Sequence, residues 1–163
     1  MIDITRGLRH MAWANDRFYA QLAALPPDVL TVRYATDAWS VGRLAAHVPN
    51  GADWYRFCLT GTAWTDLTDL AVAGDIEGLR AFLARADADL LAEAVKDDAL
   101  LTFMDEDGER SALRSTLLTQ AIVHAAEHRA HIATALEVAG VGRIDLDELD
   151  LWAFEAWERA QQD

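Results

Sequence analysis

At 163 residues the chain is long enough for one ordinary domain and too short for two. Hydrophobic residues make up 52% and charged residues 25%, with only 3 prolines, so a core can be buried and a largely disordered chain is excluded. The 14 Lys and Arg against 27 Asp and Glu leave a net charge of −13, which argues against nucleic acid and anionic membrane as partners. A single cysteine, Cys58, excludes a disulfide framework and a thiolate zinc knuckle. The opening MIDITRGLRH has no apolar leader segment, and no uncharged run reaches membrane-spanning length. These features lead us to expect a soluble, cytoplasmic protein with one domain over residues 1–163.

The pattern predicts a first helix from Ile4 to Leu25, stopped by Pro26 and Pro27. Its apolar stripe runs through Leu8, Met11, Phe18 and Leu22, interrupted by Asn15. An amide on that stripe needs a partner: either a helix-to-helix hydrogen bond or a place behind a metal ligand. His10 falls off the stripe and reads as a surface residue. Ser40 is a good cap for a second helix through Leu59, kinked at Pro49. Thr62 to Asp75 is the longest irregular stretch and is expected to cover a pocket. A third helix follows from Ile76 to Lys96. Leu100–Met104 and Glu109–Leu113 flank Asp107-Gly108 as a short hairpin. Ser111 or Ser115 is expected to cap a long fourth helix that closes at Gly140, and Asp147 to Ala160 forms a last one. The fold class is all-α, a helical bundle with a short β-hairpin before the long fourth helix and a C-terminal helix.

The chemistry concentrates on the fourth helix. His124 and His128 are separated by about 40° and one turn, with His131 about 20° the other way, so all three share a face. Extended through Leu113, Leu117, Ala121, Ala135 and Val138, that face is expected to point into the bundle. Imidazoles at such positions form either a buried hydrogen-bonded network or a metal site. An i, i+4 histidine pair offers two nitrogens to one ion, and His47, three residues beyond Leu44, is the best third ligand. Three neutral imidazoles leave an ion its full charge and an open position, which suits catalysis. No GxSxG elbow, P-loop or dinucleotide fingerprint occurs, and no nucleophile is assigned. Cys58 reads as a small core residue. Trp39, Trp54 and Trp152 read as core or as pocket lining.

Four stretches resemble the DinB family, which is grouped with bacillithiol and mycothiol S-transferases. They are Leu8-Arg9-His10-Met11-Ala12-Trp13-Ala14-Asn15, the run from Trp39 to His47, the run from His124 to Ile132, and Asp150-Leu151-Trp152. The resemblance implies an up-down-down-up four-helix bundle, a divalent ion (zinc or nickel) held by His47, His124 and His128, and frequent homodimers. Ala130 and His131 stand where Gly and Gln are common in the family, and Glu127 where a histidine is frequent. His131, Asn15, Glu127 and Arg129 are therefore candidates for supporting or catalytic roles. The leading expectation is a metal-dependent S-transferase using a low-molecular-weight thiol in stress response or detoxification. Arg129 or Arg43 would receive the thiol's carboxylate. The rival expectations are a non-catalytic metal-binding stress protein and a metal-dependent hydrolase.

Overall fold

The computed structural model describes residues 3–67, 69, 74–105 and 107–162. Its α-helices are α1 (Ile4–Ala23), α2 (Val41–Thr60), α3 (Ile76–Glu93), α4 (Arg114–Ala139) and α5 (Leu151–Ala160). Strands β1 (Leu100–Asp105) and β2 (Gly108–Leu113) pair antiparallel between α3 and α4, in register from Leu100 opposite Leu113 to Asp105 opposite Gly108. Among the described residues no helix is long and apolar enough to cross a membrane.

Cross-helix pairs fix the helix directions. Gly7 faces Ile122 and Asn15 bonds Arg129, so α1 and α4 run parallel. His47 meets His128 while Gly51 meets His124, so α2 is antiparallel to α4. Asp16 pairs with Arg80 and Asn15 with Asp87, so α1 and α3 run opposite ways. The result is the up-down-down-up bundle. The core is made by Leu8, Phe18 and Leu22 from α1, Leu44 and Val48 from α2, Leu83 and Leu90 from α3, and Leu118, Ile132 and Leu136 from α4.

Local chemistry explains where the elements stop. The first helix ends two residues earlier than the sequence pattern suggests, because Leu25 precedes Pro26 and is disfavoured from helical geometry. The Ala24 and Leu25 amides instead bond back to Gln21 and Leu22, tightening the last turn. Ser40 caps α2 through the Arg43 amide, and Gly61 closes it in the left-handed conformation at φ 71°. Helix α2 continues through Pro49. Proline has no N–H to offer the carbonyl of Ala45, and that carbonyl accepts the buried Tyr19 hydroxyl of α1 at 2.6 Å. The orphaned group two residues before His47 thus becomes an interhelical tie.

Three further expectations need correction. Neither Ser111 nor Ser115 caps α4: Ser111 lies in β2, and Asp98 accepts both the amide and the hydroxyl of Ser115. The last helix starts at Leu151, because Asp150 is extended and caps it through the Ala153 amide, leaving Asp147–Leu149 as a 3-10 turn. His10 is half-buried: its Nε2 lies 2.8 Å from the Leu149 carbonyl and its ring packs on Trp13 and Phe154. The C-terminal helix covers the spot that α1 alone would expose. Part of the expected pocket cover, residues 68 and 70–73, lies outside the described residues. Thr65 and Leu67 donate their amides to Asp53 and Asn50, holding the described part of that segment against α2.

Candidate metal centre

One column of side chains on α2 and its approach builds half of the site. Trp39, Arg43, His47, Gly51 and Tyr55 recur every four residues, a row that winds about 40° per step from the exposed Trp39 and Arg43 to the buried Tyr55. Helix α4 supplies the other half. Its buried face centres on Ala125, Arg129 and Ile132, with His124 and His128 half-buried at its edge and His131 exposed. The three imidazoles therefore sit at the rim of the core rather than in its centre. Leu113 and Val138, expected on the inner stripe, are exposed. The misreading has a physical source: Arg129, which looks like a solvent residue, occupies the central core position.

His47, His124 and His128 each bring a nitrogen to one point, all within 4.8 Å of one another. The Nε2 atoms of His47 and His124 are 3.1 Å apart. A tetrahedral ion with Zn–N bonds of about 2.0–2.1 Å spaces its ligand atoms by roughly 3.3 Å, so the cluster fits such an ion in size and donor type. The rings meet edge to face at centroid distances of 4.5 to 4.9 Å. Burial holds all three imidazoles below the ordinary range, His124 down to about 4; neighbouring histidines add to it for His124 and His128, and the Arg43 charge adds to it for His47. At neutral pH they are uncharged with lone pairs free, the form a cation requires.

The surroundings constrain each ring. A Cβ on Gly51 would fall within 3.0 Å of the His124 Cε1, Nδ1 and Nε2 atoms, so only glycine leaves room for that ring. The Trp39 edge packs on His47 at 4.9 Å, and Tyr55 packs on His124 at 5.8 Å. His131 brings its Nδ1 to 3.4 Å from that of His128. Glu127 is exposed, and its charge favours protonation of His128, against the stronger effect of burial. The sequence pattern places Tyr55 on the inner face of the second helix but assigns neither it nor Gly51 to the site, although their four-residue steps from His47 are a signal.

Behind the site lies a buried polar chain. Asn15 donates to Asp87 Oδ2 at 2.9 Å and accepts from Arg129, bridging α1, α3 and α4. Asn15 thus makes helix-to-helix hydrogen bonds, and Arg129 is enclosed, with no face open to receive a substrate. Asp87 is 2% exposed, and among the described residues its Oδ1 has no hydrogen-bond partner. Burial pushes its carboxyl up to about 7, although Asn15 and Arg129 pull the other way. Cys58 is buried and its thiol is pushed up to about 12, which makes it inert at neutral pH.

A family model described as the DinB family matches residues 1–161. The chain belongs to the DinB family. No curated protein matches it. In this DinB chain, the stretch ending in His47 forms the first turns of α2 and the stretch from His124 forms the middle of α4. These two DinB segments meet at the histidine cluster. The stretch ending at Asn15 meets the His124 stretch through Arg129, and the one starting at Asp150 caps α5. Trp54 packs on Tyr55 and Phe103, whereas Trp152 is 80% exposed and belongs neither to the core nor to the site.

Proposed function

We propose that His47, His124 and His128 hold one divalent ion, zinc or nickel, and that the protein transfers a low-molecular-weight thiol to an electrophile. The observation that carries this reading is the convergence of three imidazole nitrogens, kept neutral by burial, at the half-exposed rim of the bundle. Bound there, the ion would supply Lewis acidity and favour the thiolate form of a sulfur ligand. In this reading the protein's own groups do the rest. Gly51 and Tyr55 fix His124, Trp39 fixes His47, and His131 orients His128 through its Nδ1. Glu127 takes the thiol proton. A sulfur–carbon bond forms, and the electrophile's leaving group departs with its electron pair. Conjugation of this kind serves stress response or detoxification. A homodimer belongs to the same reading, supported by the exposed apolar Leu151 and Trp152 on α5.

Thiol dependence tests the reaction class. Zinc- or nickel-loaded protein, given cysteine and an aryl chloride, is expected to form the thioether only when both metal and thiol are present. His124→Ala should abolish the product. Ester hydrolysis without thiol would replace transfer by hydrolysis. Neither activity, with the ion still bound, would leave a non-catalytic metal-binding protein.

A further inference from the structure

Arg43 is exposed and lies one helical turn before His47 on the same face of α2. Its guanidinium carbon sits 4.2 Å from the centre of the Trp39 ring, and the Trp39 ring in turn meets His47 edge to face. Its charge reaches that histidine, adding to burial in holding His47 below the ordinary range. Acidic groups outnumber basic ones 27 to 14, and carboxylates pair with Arg6, Arg9, Arg56, Arg80, Arg110 and Arg114. Among the described residues no carboxylate pairs with Arg43. A guanidinium held over an indole by cation–π attraction loses less freedom on binding than one free in solvent, and its planar fork matches a carboxylate. It is therefore a preorganised fork for a planar, singly charged oxyanion beside the histidine cluster. Arg129, the rival for this role, is enclosed by Asn15 and the core.

We propose that Arg43, held on Trp39, receives the carboxylate of the substrate thiol, so that the protein prefers small thiols bearing a carboxylate. This rests on the thiol-transfer reading above and adds a specificity determinant to it. The sulfur end lies toward His47, His124 and His128 while the carboxylate is held at the mouth.

Calorimetric binding to the zinc-loaded protein tests this without any turnover. The probes are N-acetylcysteine, its primary amide, and N-acetylalanine, which keeps the carboxylate and lacks the thiol. The native protein should bind N-acetylcysteine at least about tenfold more tightly than the amide, an effect typical of a charge-assisted pair. Arg43→Gln should erase that difference and leave the affinity for the amide unchanged, while Arg43→Lys should restore only part of it. Elemental analysis should show the same zinc content in all variants, since Arg43 is outside the cluster. A preference that persists in Arg43→Gln, or an equal loss for both thiols, overturns the proposal. Thiols bound by the native protein without preference also overturn it, while thiol binding itself survives. N-Acetylalanine bound as tightly as N-acetylcysteine, through Arg43, supports the carboxylate site and removes the thiol reading. Binding of none of the three probes overturns both.

Discussion

Replacing Gly51 by alanine is expected to weaken divalent-metal affinity by roughly 10–100-fold, the range seen when support for a ligand is lost, while the metal-free fold stays intact. The added methyl would occupy the volume of the His124 ring, within 3.0 Å of three of its atoms. The ring has to swing away from His47 and His128, which breaks the tripod. Gly51 lies inside α2, where alanine is favoured over glycine by roughly 0.5–1 kcal/mol. The metal-free variant should therefore melt at least as high as the native protein. Competition with a coloured chelator reads the affinity, and a thermal melt reads the fold. Unchanged affinity with an intact fold would show that His124 does not contribute to metal binding.

Asp87→Ala is expected to cost about 3 kcal/mol, because it strips a buried amide of its acceptor and removes the carboxylate nearest a buried arginine. Asn15 donates to Asp87 and accepts from Arg129, so one truncation disturbs three helices. For a chain of this size the loss corresponds to roughly 6–12 °C in melting temperature. Asp87→Asn keeps an acceptor for Asn15 and should cost less. The two variants also separate a pH effect. The folded carboxyl is pushed up to about 7 from an ordinary value of 3.8, so the folded state holds its proton over that interval. Stability from this group is full below pH 3.8 and is lost as pH rises toward 7. The histidines act in the opposite sense, since their folded values are lowered and acid favours the unfolded chain. Melting temperatures of native protein and Asp87→Asn, compared between pH 4 and 8, isolate the carboxyl. The native protein should lose ground to the asparagine variant as pH rises. A constant difference would mean that Asp87 is ionised throughout.

The sequence made the helices legible because their stops are local: Pro26 after α1, Ser40 and Gly61 around α2, Gly140 after α4. The hairpin was legible from Asp107-Gly108 for the same reason. What was not legible depends on distant partners. Asp98, 17 residues from Ser115, holds the start of α4, and no spacing rule announces that contact. Likewise, Tyr19 satisfies the carbonyl that Pro49 leaves free. The convergence of His47, His124 and His128 could be inferred because two lie one turn apart and the third lies beside an inner stripe. Their depth could not, because the core face of α4 is centred on a charged residue, Arg129, whose neutralising environment comes from α1 and α3. His10 was misplaced for a related reason: α5 returns across α1 from the far end of the chain.

Elemental analysis of the untagged protein, reconstituted with zinc or nickel and dialysed, tests the three-histidine site most directly when His128→Ala and His10→Ala are measured beside it. The native protein and His10→Ala should each retain about one ion per chain, and His128→Ala should retain almost none. No ion retained by the native protein, or equal retention by all three, would contradict the site and leave the three imidazoles as a hydrogen-bonded cluster.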